Sequence, residues 1–353
     1  MKARLFSLLL LSALAAAAAE TAPELHWYKG NTHTHTLNSD GDSPVGTVTH
    51  WYRDQGYDFV VVSDHRYLTV LTELQREFDL EAGRLEKRKF LLVTGEEVDG
   101  DIMRPDGTRA KTVHFISVGP RVAVGKQAGD TVTGLGQTIA DAIRGAGGLP
   151  ILNHPNFHWS VTAADMLALR HVRHFELHNG HPAVHNLGGS GHPSTEELWD
   201  QVLSKGRIYY GVASDDAHHW LEWSRAKSNP GRAWIMVRAA ELTSAAVVDA
   251  LARGDFYGST GIELIDVTAS DGTLRLKIRQ KAVVPDPRMA TNFFGYKTWF
   301  IGKDGQVLKV DESMEPSYTL KPGDLYVRAR VLSSAGDQAW TQPLFAAGQG
   351  RLE

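Results

Sequence analysis

Between residues 57 and 212 the chain repeats one pattern, a short apolar run of strand length followed by an amphipathic stretch of helix length. The runs read as buried strands: Tyr57 to Ser63 (YDFVVVS), Phe90 to Thr94 (FLLVT), Val113 to Val118 (VHFISV), Leu149 to Leu152 (LPIL), Phe175 to Leu177 (FEL) and Ile208 to Val212 (IYYGV). Helices are expected over 45–55, 72–88, 136–144, 163–169 and 195–203. Strands buried on both faces and alternating with helices point to a mainly parallel sheet. The number of units suggests a barrel or barrel-like α/β domain, in which reactive groups sit at the C-terminal strand ends.

Those ends are where the ligating residues fall. YDFVVVS runs into Asp64-His65 and FLLVT into Gly95-Glu96-Glu97. The strand around Val113 carries His114, LPIL runs into Asn153-His154-Pro155, and IYYGVAS into Asp215-Asp216-Ala217-His218. Upstream, His33-Thr34-His35 is followed by Asp40. Residues two apart on a strand share a face, so His33 and His35 can reach one cation. A single such pair is a weak signal. Five strands carrying His, Asp or Glu near an end are a strong one, because crowded buried carboxylates and imidazoles are costly without cations between them. The chain has 16 His and no Cys, so any such ion is held by imidazole and carboxylate.

The series HxH…SDG, S-D-H, G-x-E, a strand histidine, H-P and S-D-x-A-H resembles the polymerase and histidinol phosphatase (PHP) family over roughly residues 26–261. The resemblance implies a distorted (β/α)7 barrel holding two or three divalent cations (Zn, Mn or Fe). It implies His33, His35 and Asp216 at a first metal, Glu97 bridging to a second completed by His114 and His154, and Asp40, His65 and His218 at a third. The SDDAH motif leaves Asp215 as a competitor of Asp216. Metallo-β-lactamases fit less well because Asp40 and His65 are too far apart for H-x-H-x-D-H. Amidohydrolases fit less well because no lysine stands at a later strand end.

Such a centre lowers the pKa of a water and stabilises developing negative charge, which suits a phosphate mono- or diester. His218 and His178 are candidates for the leaving-group acid, and Arg66, with Tyr67, is expected at the mouth. Glu176, His178 and Asn179 should line the pocket, and Asn156, His158 and Trp159 could shape it. Arg104, Arg109 and Lys111 are placed in a long loop before His114. His171, His174, His181, His185 and His192 are assigned to surface or core.

Residues 262–353 read as a β-rich accessory domain, a small β-sandwich. Asp271-Gly272 and Asp304-Gly305 mark hairpins, and Leu325 to Leu332 alternates. The barrel is expected over 20–261. Residues 1–19 read as a signal peptide: Lys2 and Arg4, an apolar run from Leu5, then Ala17-Ala18-Ala19, implying a periplasmic or secreted protein with no stable membrane insertion after cleavage. A retained N-terminal anchor is the alternative. Without that segment the balance is 35 basic against 41 acidic residues, which argues against nucleic-acid duplex binding. GDFYGSTG and the tail's YVRARV…AWTQPLF resemble secreted members related to a carbaryl hydrolase. The cation cluster makes a small, anionic ester the expected substrate, and this last resemblance supplies the alternative. Carbamate or carboxylic ester hydrolysis at the same centre is the first alternative, and a non-catalytic metal-loaded binding protein the second.

Overall fold

The computed structural model describes residues 23–282 and 294–351. The expected signal segment lies outside them. Among the described residues no helix is long and apolar enough to cross a membrane.

The chain opens with β1 (His26–Asn31), α1 (Val45–Asp54), β2 (Phe59–Val62), α2 (Thr72–Arg84) and β3 (Leu91–Met103). β1, β2 and β3 pair in parallel, as helical crossovers require. The pattern then departs from expectation. β3 does not stop at Glu97 but continues to Met103, turns at Pro105-Asp106-Gly107, and returns as antiparallel β4 (Arg109–Val118). Arg109 and Lys111 therefore lie on a strand, not in a long loop. The overlooked signal was Pro-Asp-Gly between two strand runs, a turn with a mechanism. After α3 (Val132–Gly145), β5 (Leu149–Leu152) pairs antiparallel with β4. Parallel order resumes through α4 (Ala163–Ala168), β6 (His174–Asn179), α5 (Thr195–Leu203) and β7 (Tyr210–Ser214). Capping boxes start α4 (Thr162 with Asp165) and α5 (Ser194 with Glu197).

The barrel is not closed by strand pairing. β8 (Trp234–Ala239) lies antiparallel to β1, so both edges of β1 are taken, one by β2 and one by β8. Among the described residues β7 consequently has no strand partner beyond β6, and it rests against β8 and β9 (Phe256–Ser259) without joining them. Only past the strand ends do the two sides meet: His35 N donates to Ala217 O (2.9 Å) and Asp216 N to His33 O (3.0 Å). That contact brings the HxH motif against the last motif of the series. The helix α6 (Ser244–Arg253) between β8 and β9 buries Val247, Ala250 and Leu251 against Val61, Ile151 and Val237. On the other face α3, α4 and α5 pack Ile139, Met166 and Trp199 around Phe115 and Phe175.

The C-terminal strands are β10 (Leu264–Ser270), β11 (Thr273–Ile278), β12 (Tyr296–Ile301), β13 (Val307–Asp311), β14 (Ser317–Thr319), β15 (Tyr326–Ser333), β16 (Gln338–Thr341) and β17 (Leu344–Phe345). β10, β11 and β14 form a three-stranded sheet. It packs Leu274, Leu276 and Tyr318 against Phe300, Val327, Ala329 and Val331 of the other layer. That other layer, β13-β12-β15-β16, continues through β9 and β8 into the main sheet. The two layers stack as in a sandwich, with one of them continuous with the α/β part.

Candidate metal centre

The sequence places β1 so that residues 32–35 continue extended beyond it, with Thr34 bridged to Ala217 on one side and hydrogen-bonded to Ser63 on the other. His33 and His35 thereby point to one side, both fully buried. The loop that follows is clamped by Asp64, whose carboxylate accepts from Thr36 N (2.7 Å), Thr36 Oγ1, Ser39 Oγ (2.9 Å) and Thr69 Oγ1 (2.6 Å). The aspartate of the Asp-His motif thus holds the turn that delivers Asp40, while His65 faces the cluster.

The structure brings all nine of the expected ligating side chains together. His33 Nε2, His35 Nε2, Glu97 Oε2 and Asp216 Oδ1 form the centre: the two imidazoles are 3.1 Å apart, His33 lies 3.3 and 3.2 Å from Glu97 and Asp216, and His35 lies 3.2 and 3.4 Å from them. A tetrahedral ion with bonds of about 2.0–2.1 Å sets its ligand atoms roughly 3.3–3.4 Å apart. The other oxygen of Glu97, Oε1, lies 2.9 Å from His114 Nδ1 and 3.3 Å from His154 Nε2. Asp40 faces His218 Nε2 at 3.4 Å, His65 Nε2 at 3.5 Å and His35 Nδ1 at 3.5 Å. Glu97 therefore stands between two groups of ligands, and Asp40, His65, His218 and His35 form a third.

The donor set fits cations better than hydrogen bonds. His65 Nδ1 is buried and makes no hydrogen bond, although Glu97 Oε2 is 3.2 Å away. That spacing with poor alignment suits two ligands of one ion. Mixed imidazole and carboxylate donors suit zinc, manganese or iron. Burial alone would push Glu97 up; the imidazoles of His65, His33 and His114 overcome it and hold the carboxyl well below its usual range. Burial likewise opposes charge on His33, yet Asp216, Glu176 and Glu97 raise it well above an ordinary imidazole.

The surrounding residues orient this set. Glu176, fully buried, accepts from His33 Nδ1 (2.7 Å), His154 N (2.8 Å), Asn179 Nδ2 (2.8 Å) and Ser214 Oγ (2.5 Å). It fixes the His33 tautomer, leaving Nε2 free to ligate. Sequence reasoning put Glu176 in the pocket lining and missed this role; its place at a strand end beside a histidine-binding site was the available signal. Asn153 Nδ2 donates to Glu97 Oε1 (2.8 Å) and Thr112 Oγ1 pairs with His114 Nε2 (2.8 Å).

Neighbouring carboxylates separate cleanly. Asp216, at a left-handed φ of 51°, turns into the cluster. Asp215 turns away and accepts from Gly231 N, Arg232 N, Ala233 N and Tyr52 Oη. Glu96 also faces away, bound to Val124 N and Gly125 N. Of the residues expected to act on substrate, Arg66 is half-exposed beside His65 and paired with Asp99 at 2.5 Å. His178 does not join the cluster: it stacks on Trp340 at 5.4 Å, where burial lowers its pKa to about 4. Its expected role as leaving-group acid therefore draws no support from the ligand cluster, and its ring lines the neighbouring cleft instead. His218 lies inside the ligand set. The histidine-rich 171–192 segment divides. His185 and His192 sandwich Trp159 (4.6 and 4.4 Å), His174 is buried on Leu251 O, and His181 lies against His218 at 5.5 Å.

No family model and no curated protein sequence matches the chain. Among solved structures it is similar to a two-domain protein containing a predicted PHP-like metal-dependent phosphoesterase from Bacteroides vulgatus (16% identity, 89% of this chain and 95% of that one, TM-score 0.41). It is also similar to a candidate metal-dependent phosphoesterase from Bifidobacterium adolescentis (15%, 57% and 89%, TM-score 0.34). A third is an amidohydrolase from Chromobacterium violaceum solved with sulfate and no metal (14%, 54% and 87%, TM-score 0.36). These likenesses are too distant to carry an activity, and the reading of the site rests on its own side chains.

Proposed function

We propose that the protein is a metal-dependent hydrolase of small esters, acting first of all on a phosphate ester. The observation that supports this is the spacing of His33, His35, Glu97 and Asp216 around one point, with Glu97 shared toward His114 and His154. Cations bound there supply an acidified water and positive charge for an anionic ester. The residues of the chain do the rest. Glu176 and Asn153 hold the ligands in register. Arg66, beside His65, is tied to Asp99 and stands outside the residues that line the pocket, so a contact with substrate would be made only from its rim. Phe157 and Val184 line one part of the pocket with apolar surface.

One observation favours a second reading. No Lys or Arg is among the residues that line the metal pocket, and Phe157 and Val184 give it an apolar wall, so an uncharged carbamic or carboxylic ester also fits. The test is one sample of purified protein taken through elemental analysis and a release screen with phosphate and naphthyl esters. Two or three Zn, Mn or Fe per chain and chelator-sensitive phosphate release support the first reading. Naphthol release lost in His33→Ala supports the second. A metal-loaded protein inactive on both classes returns the molecule to a binding role. Export to the periplasm belongs to the same proposal and is checked by the N-terminus of the mature protein.

A further inference from the structure

The ligand cluster opens into a cavity of about 170 Å³ walled in part by Phe157, His181 and Val184. His181 and Val184 also line a cleft of about 920 Å³, which runs between the segment after β6 and the C-terminal strands past Arg330 and Trp340. His181 therefore stands at the junction of the two spaces. Its ring is fixed by its own loop. The backbone N of His181 donates to Asn179 Oδ1 (2.8 Å), and Nδ1 accepts from Ala183 N (3.1 Å). Asn179 is in turn held by Glu176 and by Asn186. An imidazole whose Nδ1 accepts a hydrogen bond carries its proton on Nε2 when neutral. No protein group bonds Nε2 among the described residues, and the ring stands edge-on (75°) to His218. The result is a preset donor at the edge of the metal pocket, on the side where the larger cleft begins.

We propose that His181 donates a hydrogen bond from Nε2 to the leaving oxygen of the ester, with the leaving group lying in the larger cleft. This rests on the ester-hydrolase reading above. In the reaction the oxygen of water bonds to phosphorus, the bond from phosphorus to the leaving oxygen breaks, and the departing alkoxide takes up the proton that water gives to solvent. His181 stays neutral throughout and lowers the cost of charge on the leaving oxygen. The cleft's lining is close to balanced in charge, with Glu196, Glu197, Asp200 and Asp304 against Arg232, Arg328 and Arg330, and Arg328 and Arg330 are paired with Glu196 and Asp200, so it suits a polar, uncharged leaving group.

The experiment compares wild type, His181→Ala and His181→Asn, all metal-loaded, on an alkyl phosphate (glycerol phosphate) and on p-nitrophenyl phosphate. A poor leaving group needs the donor and a good one does not. His181→Ala should therefore lose on the order of 10²-fold in kcat on the alkyl ester and less than about 3-fold on the nitrophenyl ester. His181→Asn, which keeps a donor, should recover part of the alkyl activity at unchanged metal content. Equal loss on both esters, no loss on either, or loss of bound metal in His181→Ala overturns the inference while leaving the hydrolase reading standing. A metal-loaded wild type inactive on both phosphates overturns that reading and this inference together.

Discussion

His33 Nδ1 lies 2.7 Å from Glu176 Oε1, with both side chains shut off from solvent. The pair ties the first ligand of the cluster to β6, a strand that contributes no ligand of its own. A carboxylate in this position both selects the tautomer and raises the basicity of the ligating nitrogen.

Replacing Glu176 with Gln should therefore weaken cation binding by about 10- to 100-fold. The measurement is competition against a chromophoric chelator. Unchanged affinity in a folded variant would show that His33 is oriented by something else.

The two aspartates of the SDDAH motif should separate by readout. Asp216→Asn should cost bound metal with little change in melting temperature. Asp215→Asn should leave the ligand set intact but destabilise the fold by about 1–3 kcal/mol, because three backbone amides lose their charged acceptor. Thermal melts and elemental analysis on both variants decide it; the reverse pattern would exchange their roles.

Cation affinity should climb with pH. In the ion-free protein burial opposes charge on His35, yet hydrogen bonds with Asp216 and Glu97 raise its pKa to about 9. Binding needs the neutral ring, so it displaces a proton at neutral pH. Apparent affinity should rise by up to about tenfold per pH unit for each proton displaced and level off near pH 9. Titrations at pH 6.5, 7.5 and 8.5 test this, and a flat profile would contradict it.

Acid sensitivity should have a component away from the metals. Burial lowers His174 to about 4, with its Nε2 on Leu251 O. Its folded pKa lies below the unfolded value, so the unfolded chain binds the extra proton. Stability is fully retained above about pH 6.5 and declines as pH falls toward 4, by about 3 kcal/mol for this group. His174→Gln should flatten that part of the wild-type curve; identical pH slopes for the two proteins would rule it out.

Arg328 on β15 is buried with Asp200 of α5, and it also reaches Glu196. Arg328→Met leaves Asp200 without its cation and should cost about 3–5 kcal/mol. Metal content should hold, since none of the nine clustered residues touches this group. Denaturant melts check the first statement and elemental analysis the second.

Much of the centre was legible in the chain because ligating residues close strand-length apolar runs, and period and position are local properties. His65, His154, Asp216 and His218 were placed by that rule. Glu97 and His114 were found for a partly wrong reason. They lie within the β3 and β4 hairpin, opposite one another across two residues of register (Asp99 pairs with His114), and the Pro105-Asp106-Gly107 turn that makes the hairpin went unread. The barrel was an extension of the repeat, and its seven strands were what the family resemblance implied, but repetition says nothing about which strand takes a free edge.

The sequence by itself determined the alternation of strands and helices, the motif order and the residue types offered to a cation. These depend on neighbours a few residues apart. The tertiary structure decided what depends on long-range partners. β8 takes the edge of β1 and leaves the sheet open. The C-terminal strands extend that sheet through β16 and β9. Asp215 turns to the backbone of residues 231–233 while Asp216 turns to the histidines. Glu176 and His181 take their roles only because β6 is brought beside His33 and His218, a proximity that no local periodicity encodes.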